Sequence, residues 1–194
     1  AVVALSIGTR PDCLGEDVIA LLSRLNRQKP VWIELGLQTM HESTASYIRR
    51  GYALPCFEKA VAALRREHIE VIVHTILGLP SETRQDILAT MQYLNGQDIQ
   101  GIKLQLLHVL RGTDLAEDYL KNRFSVYTKE EYLDILTACL EHLRPDLVIH
   151  RVTGDGPKNL LIAPLWASRK REVLNSLHHT MKERGAYQGR LYQP

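Results

Sequence analysis

The sequence predicts an α/β fold built from parallel βα units. Apolar runs of strand length alternate with segments of helical periodicity. The strands recur at roughly thirty-residue intervals with short connections, which favours right-handed crossovers and a parallel sheet. On four consecutive strands one face is aliphatic, almost without exception, while the other carries polar groups. The sheet either curls into a barrel or stays open. In both cases active residues belong at the carboxyl ends of the strands.

Residues 1–9, AVVALSIGT, are a first strand, closed by the turn Arg10-Pro11-Asp12. Asp12 is a candidate cap for a helix over 16–28, where Val18, Ile19, Leu22 and Leu25 share a side. In residues 31–38, Val31, Ile33, Leu35 and Leu37 alternate with Trp32, Glu34, Gly36 and Gln38, a strand with two unlike faces. A short helix over 41–50 follows, with Gly51 in the position of a C-terminal glycine. Pro55 fits the first turn of the next helix, striped by Phe57, Val61 and Leu64 to about residue 68. Residues 70–77, EVIVHTIL, are a further strand, broken by Gly78-Leu79-Pro80-Ser81. Ser81 or Thr83 caps a helix carrying Ile87, Met91 and Leu94, and Gly96 ends it.

Residues 101–110, GIKLQLLHVL, read as the next strand, followed by a short helix over 114–121. Thr128 with Glu131 is a capping box, opening a helix with Tyr132, Leu136, Cys139, Leu140 and Leu143 along one side. Residues 146–152 are a last strand, stopped by Gly154-Asp155-Gly156-Pro157. A helix over 169–184 with Val173, Leu174, Leu177 and Met181 is closed by Gly185, leaving 186–194 as a loose tail. The expected division is 1–145 for the βα portion and 146–194 for a C-terminal strand and helix extension.

Composition agrees with an ordinary globular protein: 45% hydrophobic, 24% charged, with a net charge of +2. That mild basicity permits RNA binding without indicating it. No apolar run is long enough to span a membrane and no signal-peptide pattern is present, so cytoplasmic residence is expected. Cys13, Cys56 and Cys139 are too far apart for a CxxC-type metal knuckle. The chain opens inside a strand without an initiator Met, and we expect it to be part of a longer protein.

Ser6, Gly8 and Arg10 share a face of the first strand. Glu34, Gly36 and Gln38 do so on the second, Ile72, His74, Ile76 and Gly78 on the third, and Lys103, Gln105 and Leu107 on the fourth. Burying such groups unpaired would cost about 1–3 kcal/mol each, so a polar ligand or ordered water is expected to share them. The bland reading is a buried Glu34–Lys103 ion pair with Gln105 as a satisfied core amide. His74, His108 and His150 on strands would suit a metal-dependent barrel hydrolase, although no HxH or HExxH pair exists. Tyr187 and Tyr192 among Arg184 and Arg190 could stack on RNA bases, or the terminus is simply frayed.

SIGTRPD, ELGLQT followed by a helix ending IRRG, and HTILGLPSET together resemble the radical S-adenosylmethionine superfamily. Their order is similar to branches that include the Elongator catalytic subunit and the oxygen-independent coproporphyrinogen enzymes. The run through LLHVLRGT and RVTGDGP resembles the bacterial YhcC/YtqA-like group over essentially the whole chain. The resemblance implies strands three to six of a partial TIM barrel plus a helical C-terminal extension. It also implies S-adenosylmethionine as cofactor and, in the parent protein, a [4Fe–4S] cluster held by a C-x3-C-x2-C loop that this sequence lacks.

By the same resemblance Gln38 touches the amino-acid part of S-adenosylmethionine and Arg50 pairs with its carboxylate, with Arg49 as the fallback. His74 falls near the ribose, where relatives often have an aspartate. Ile76 and Gly78 flank the adenine, and the Leu107 main chain meets its edge. Arg10, Glu34, Lys103, Gln105 and Arg151 are left for the substrate side. The implied parent is a radical enzyme with an electron donor, acting on tRNA in the nearest branches, while this chain alone would be inactive. The alternative is a non-catalytic binding or interaction module.

Overall fold

A computed structural model describes residues 2–154 and 156–193. A five-stranded sheet runs in the order β1 (Leu5–Thr9), β2 (Val31–Gln38), β3 (Glu70–Leu77), β4 (Gly101–Leu106) and β6 (Val148–Arg151). β1 pairs with β2 and β2 with β3 in parallel, so the predicted parallel α/β architecture is present. The helices are α1 (Glu16–Asn26), α2 (Glu42–Tyr47), α3 (Leu54–Arg66), α4 (Arg84–Asn95), α5 (Asp114–Leu120), α6 (Lys129–His142) and α7 (Lys170–Arg184). A short antiparallel pair joins β5 (Val109–Leu110) to β7 (Leu161–Ala163). Among the described residues, no helix is long and apolar enough to cross a membrane.

Contacts divide the chain into two compact units. The first contains Ala1–Thr75, Gly96–Lys103 and Asp146–His150. Its core is the aliphatic face of β2 and β3, where Ile33, Leu35, Leu37, Val71 and Val73 are buried with Phe57, Val61 and Leu64 of α3. The helical stripe of α3 therefore faces the branched side of the strands, as the periodicity requires. β1 departs from expectation. It lies at the sheet edge, and Leu5, with Val3 just before the strand, is exposed rather than covered. The expected Asp12 cap also fails. Asp12 sits in a 3₁₀ turn, Pro11–Cys13, bonded to Arg10, and Gly15 precedes α1 without a side-chain cap.

The second unit contains Ile76–Asn95, Leu104–Pro145 and Arg151–Pro194. Of the two candidate caps for α4, Thr83 serves. Its hydroxyl and amide both bond Asp86, while Ser81 has a φ of 71°. The Thr128–Glu131 capping box forms in both directions. α6 is the central helix of this unit, with Tyr132, Leu136, Cys139, Leu140 and Leu143 all buried. The strand expected over 101–110 is two strands, because the chain breaks at Leu107 and His108 and pairs 109–110 with β7. The expected loose tail is docked. Gly189 and Leu191 donate backbone hydrogen bonds to the carbonyls of Leu140 and Glu141, and Arg190 pairs with the Glu141 carboxylate.

Candidate functional site

The polar face of the first unit carries two constellations. The first is centred on Glu34, in the middle of β2. The register sets Gly8 of β1 opposite Glu34, and Gly36 opposite His74 of β3. Glu34 Oε1 accepts a hydrogen bond from Ser6 Oγ at 2.9 Å. Oε2 is shared by the Lys103 ammonium of β4 and by His74 Nε2, the latter at 3.0 Å. The Lys103 side chain is 9% exposed, Glu34 22% and His74 24%. Burial alone would raise the Glu34 carboxyl. Hydrogen bonds from Lys103 and Ser6, with the Lys103 charge, outweigh it and bring the group down to about 2. His150 lies on the same side, its ring edge-on to Trp32 at 6.1 Å between centroids. Gly101 makes room for it, since a Cβ there would fall 2.5 Å from His150 Cδ2. Burial and then the Lys103 charge lower the His150 pKa.

The second constellation lies at the carboxyl end of β2. The pairing with β3 slips between Gly36 and Gln38, so Leu37 is an extra residue, and Gln38 takes a φ of 69°. Such bulges re-aim side chains. The Gln38 amide stands over Gly36, where a Cβ would be 2.9 Å from Gln38 Nε2 and 3.3 Å from the Tyr52 hydroxyl. That hydroxyl donates to the Gly36 carbonyl at 2.6 Å. Two guanidiniums meet the Tyr52 ring, Arg50 at 4.9 Å and Arg10 at 5.5 Å from the centroid. Arg10 is exposed and doubly bonded to Asp12.

Arg50 is enclosed by the chain. Its side chain is 1% exposed. Nε donates to the Tyr52 carbonyl at 2.9 Å and Nη2 to Glu42 Oε1 at 2.8 Å. Nη1 donates to the carbonyls of Thr39 at 2.7 Å and Leu37 at 3.3 Å. The guanidinium is thus bonded within the chain, to three backbone carbonyls and the Glu42 carboxylate. α2 also ends earlier than expected. Arg49, with a φ of 55°, takes the left-handed position usually held by glycine. The amide of Arg50 reaches back to Ala45 O at 2.8 Å and that of Arg49 to Ser46 O at 3.0 Å. This is a Schellman turn, and Gly51 lies beyond it.

The remaining candidates belong to the second unit. Ile76, Gln105 and Arg151 are half-buried. Leu107 is buried, its amide bonded to the Leu77 carbonyl. Gly78 has a φ of 83°, and its bare side is covered by the Tyr127 ring, 2.9 Å from where a Cβ would lie. His108 packs on Gly154 and Gly156. His74, His108 and His150 do not converge: among the described residues no three His, Cys, Asp or Glu side chains could hold a metal ion. Sequence reasoning missed Ser6 as a partner of Glu34. It also missed Tyr52, whose signal was its place as the aromatic following IRRG.

The comparisons with known proteins bear on family and fold. The Radical SAM superfamily pattern matches residues 1–94 and the Radical_SAM C-terminal domain pattern matches residues 99–183. The chain belongs to the radical SAM superfamily. It is 42% identical to the uncharacterised protein YtqA of Bacillus subtilis over 192 residues, covering 99% of this chain and 60% of that protein. A tRNA uridine(34) acetyltransferase of Methanocaldococcus jannaschii is 26% identical over 175 residues, covering 89% of this chain and 32% of that protein. In structure, the Methanocaldococcus infernus Elp3 with an N-terminal deletion superposes with a TM-score of 0.83 at 20% identity, over 96% of this chain and 43% of that one. That likeness is one of fold, an α/β arrangement with a parallel sheet. The chain spans about 60% of the length of YtqA.

The cysteines of this chain do not fit an iron–sulfur cluster. Cys13 is exposed, Cys56 half-buried and Cys139 fully buried, with burial pushing its thiol up to about 12. Cluster ligands are thiolates held close together.

Proposed function

We propose that this chain is the core portion of a radical S-adenosylmethionine enzyme, and that the Gly36–Gln38 end of β2 receives the amino-acid end of S-adenosylmethionine. One observation carries the reading. At Gly36 the absent side chain leaves a bare backbone position, bordered by the Gln38 amide and the Tyr52 hydroxyl at the carboxyl end of a parallel strand. The amide offers two donors and an acceptor to an amino acid's carboxylate and ammonium groups. His74, one strand over, is the candidate for the ribose hydroxyls. Glu34 and Lys103 lie deeper on the same face, where a fixed ion pair can orient a polar substrate.

When bound, S-adenosylmethionine supplies a cleavable sulfonium, and the electron for that cleavage must come through a cluster this chain does not hold. The chain by itself therefore supplies the part of the site that positions the cofactor, without the cluster that anchors and cleaves it. The parent's tRNA substrate, its electron donor and its cytoplasmic residence are further parts of this proposal. The tRNA substrate is supported by the tRNA-named relative, and the electron donor by the resemblance.

The test is anaerobic reconstitution of the longer protein with iron and sulfide, followed by assay for 5′-deoxyadenosine. Cleavage that falls at least tenfold in Q38A supports the reading. No cluster absorbance and no cleavage would overturn it in favour of a non-catalytic binding module, which the dispersed cysteines of this chain otherwise suit. Calorimetric titration of the 194-residue chain with S-adenosylmethionine should show weak or no binding.

A further inference from the structure

We infer that Arg50 is a positioning residue: its guanidinium holds the backbone of Gln38 in the left-handed conformation and so aims the Gln38 amide over Gly36. Gln38 has a φ of 69°. A residue with a Cβ resists that region unless its surroundings over-determine it. Gln38 also directly follows the extra residue of the β2 bulge, where its pairing with Thr75 is out of step with the rest of the ladder.

Arg50 supplies the missing constraint. Its Nη1 bonds the carbonyls of Leu37 and Thr39, one on each side of Gln38. The relative orientation of those two peptide groups depends on the dihedrals of Gln38 and Thr39, and one nitrogen bonded to both restricts that pair of residues. The other two nitrogens anchor the guanidinium to Tyr52 O and Glu42. Tyr52 stacks on the same guanidinium and bonds Gly36 O, which ties the far side of the bulge to the same clamp.

The delivery of Arg50 is itself a second left-handed turn, at Arg49. The Schellman reversal after α2 carries the Arg50 side chain back beneath the end of β2. A lysine cannot replace it, because a single ammonium does not reach carbonyls and carboxylate spread around a planar fork.

This inference stands apart from the cofactor reading, since neither test contains S-adenosylmethionine. The first test is a double-mutant cycle on the 194-residue chain, read as the melting midpoint. We expect R50M to lower it by about 6–12 °C. Q38G should be neutral or slightly stabilising in the natural background, and should restore part of the loss in R50M, since glycine needs no clamp to hold a positive φ. R50K should behave like R50M. If R50M does not fold, R50K with Q38G reads the same coupling. Losses that simply add would overturn the proposal.

The second test is backbone order by NMR relaxation. In R50K the order parameters of residues 37–39 should fall from about 0.85 toward 0.6. A control, Leu64→Ala in the core of the same unit, should leave them unchanged. Equal loosening in the control, or none in R50K, would show that Arg50 is only one more stabilising side chain.

Discussion

Arg50 and Glu34 are both charged residues on or beneath the polar face of β2, and their surroundings differ in kind. Arg50 is enclosed and bonds mainly to backbone carbonyls. Glu34 is partly open and bonds only to side chains: Ser6, His74 and Lys103. Carbonyls do not titrate, and their positions are set by the fold. Side-chain partners can change charge or rotate, and they can exchange a bond for one to a ligand. The first arrangement makes a fixed frame, while the second makes a surface that responds to pH and to whatever enters.

The difference can be tested by taking each arrangement apart. The largest effect is expected from R50M. It leaves three carbonyls near the end of β2 without their donor, at about 1–3 kcal/mol for each that stays buried. We expect about 3 kcal/mol or more by urea denaturation, unchanged between pH 5 and 8. K103M should cost less, about 1–3 kcal/mol, because Glu34 keeps Ser6, His74 and some access to water. G36A should cost about 1 kcal/mol, since the Gln38 amide is a flexible side-chain end that can give way. Its clearer sign is displacement of the Gln38 and Tyr52 side-chain signals with little change at Glu34.

The smallest effect concerns pH. Glu34 sits at about 2 in the folded chain, against an ordinary value of 4.5. A carboxyl depressed in this way contributes stability that is present above its unfolded pKa and lost as pH falls through its folded one. The stability advantage of the natural chain over E34Q should therefore be constant above about pH 5 and shrink between pH 4.5 and 2. A flat difference across that window would mean the Glu34 bonds add no stability that depends on its charge.

Much of the frame was legible in the residues. β3 lies where EVIVHTIL predicts it, and the alternation of β2 correctly separates its buried and open faces. The Thr128–Glu131 box was readable because both partners lie within one turn. The Glu34–Lys103 pair was weighed as an ion pair, and it is one. The Arg50 clamp was not legible. It depends on left-handed geometry at Gln38 and Arg49, residues that usually avoid it. The break at Leu107–His108 was hidden because GIKLQLLHVL contains no glycine or proline near it, and β7 is only three residues long. The docked tail could not be read because it is held by backbone bonds and one ion pair to α6, some fifty residues earlier, which leave no periodicity.

The three thiols also divide the molecule. Cys13 and Cys56 belong to the first unit, while Cys139 is sealed inside α6 of the second, its reactive thiolate suppressed by burial. A thiol reagent at neutral pH should mark the first unit while the chain is folded, and reach Cys139 only when the second unit opens. Cys139 is thus a natural clock for that unit alone, and its modification rate measures the opening free energy of the second unit without any engineered probe.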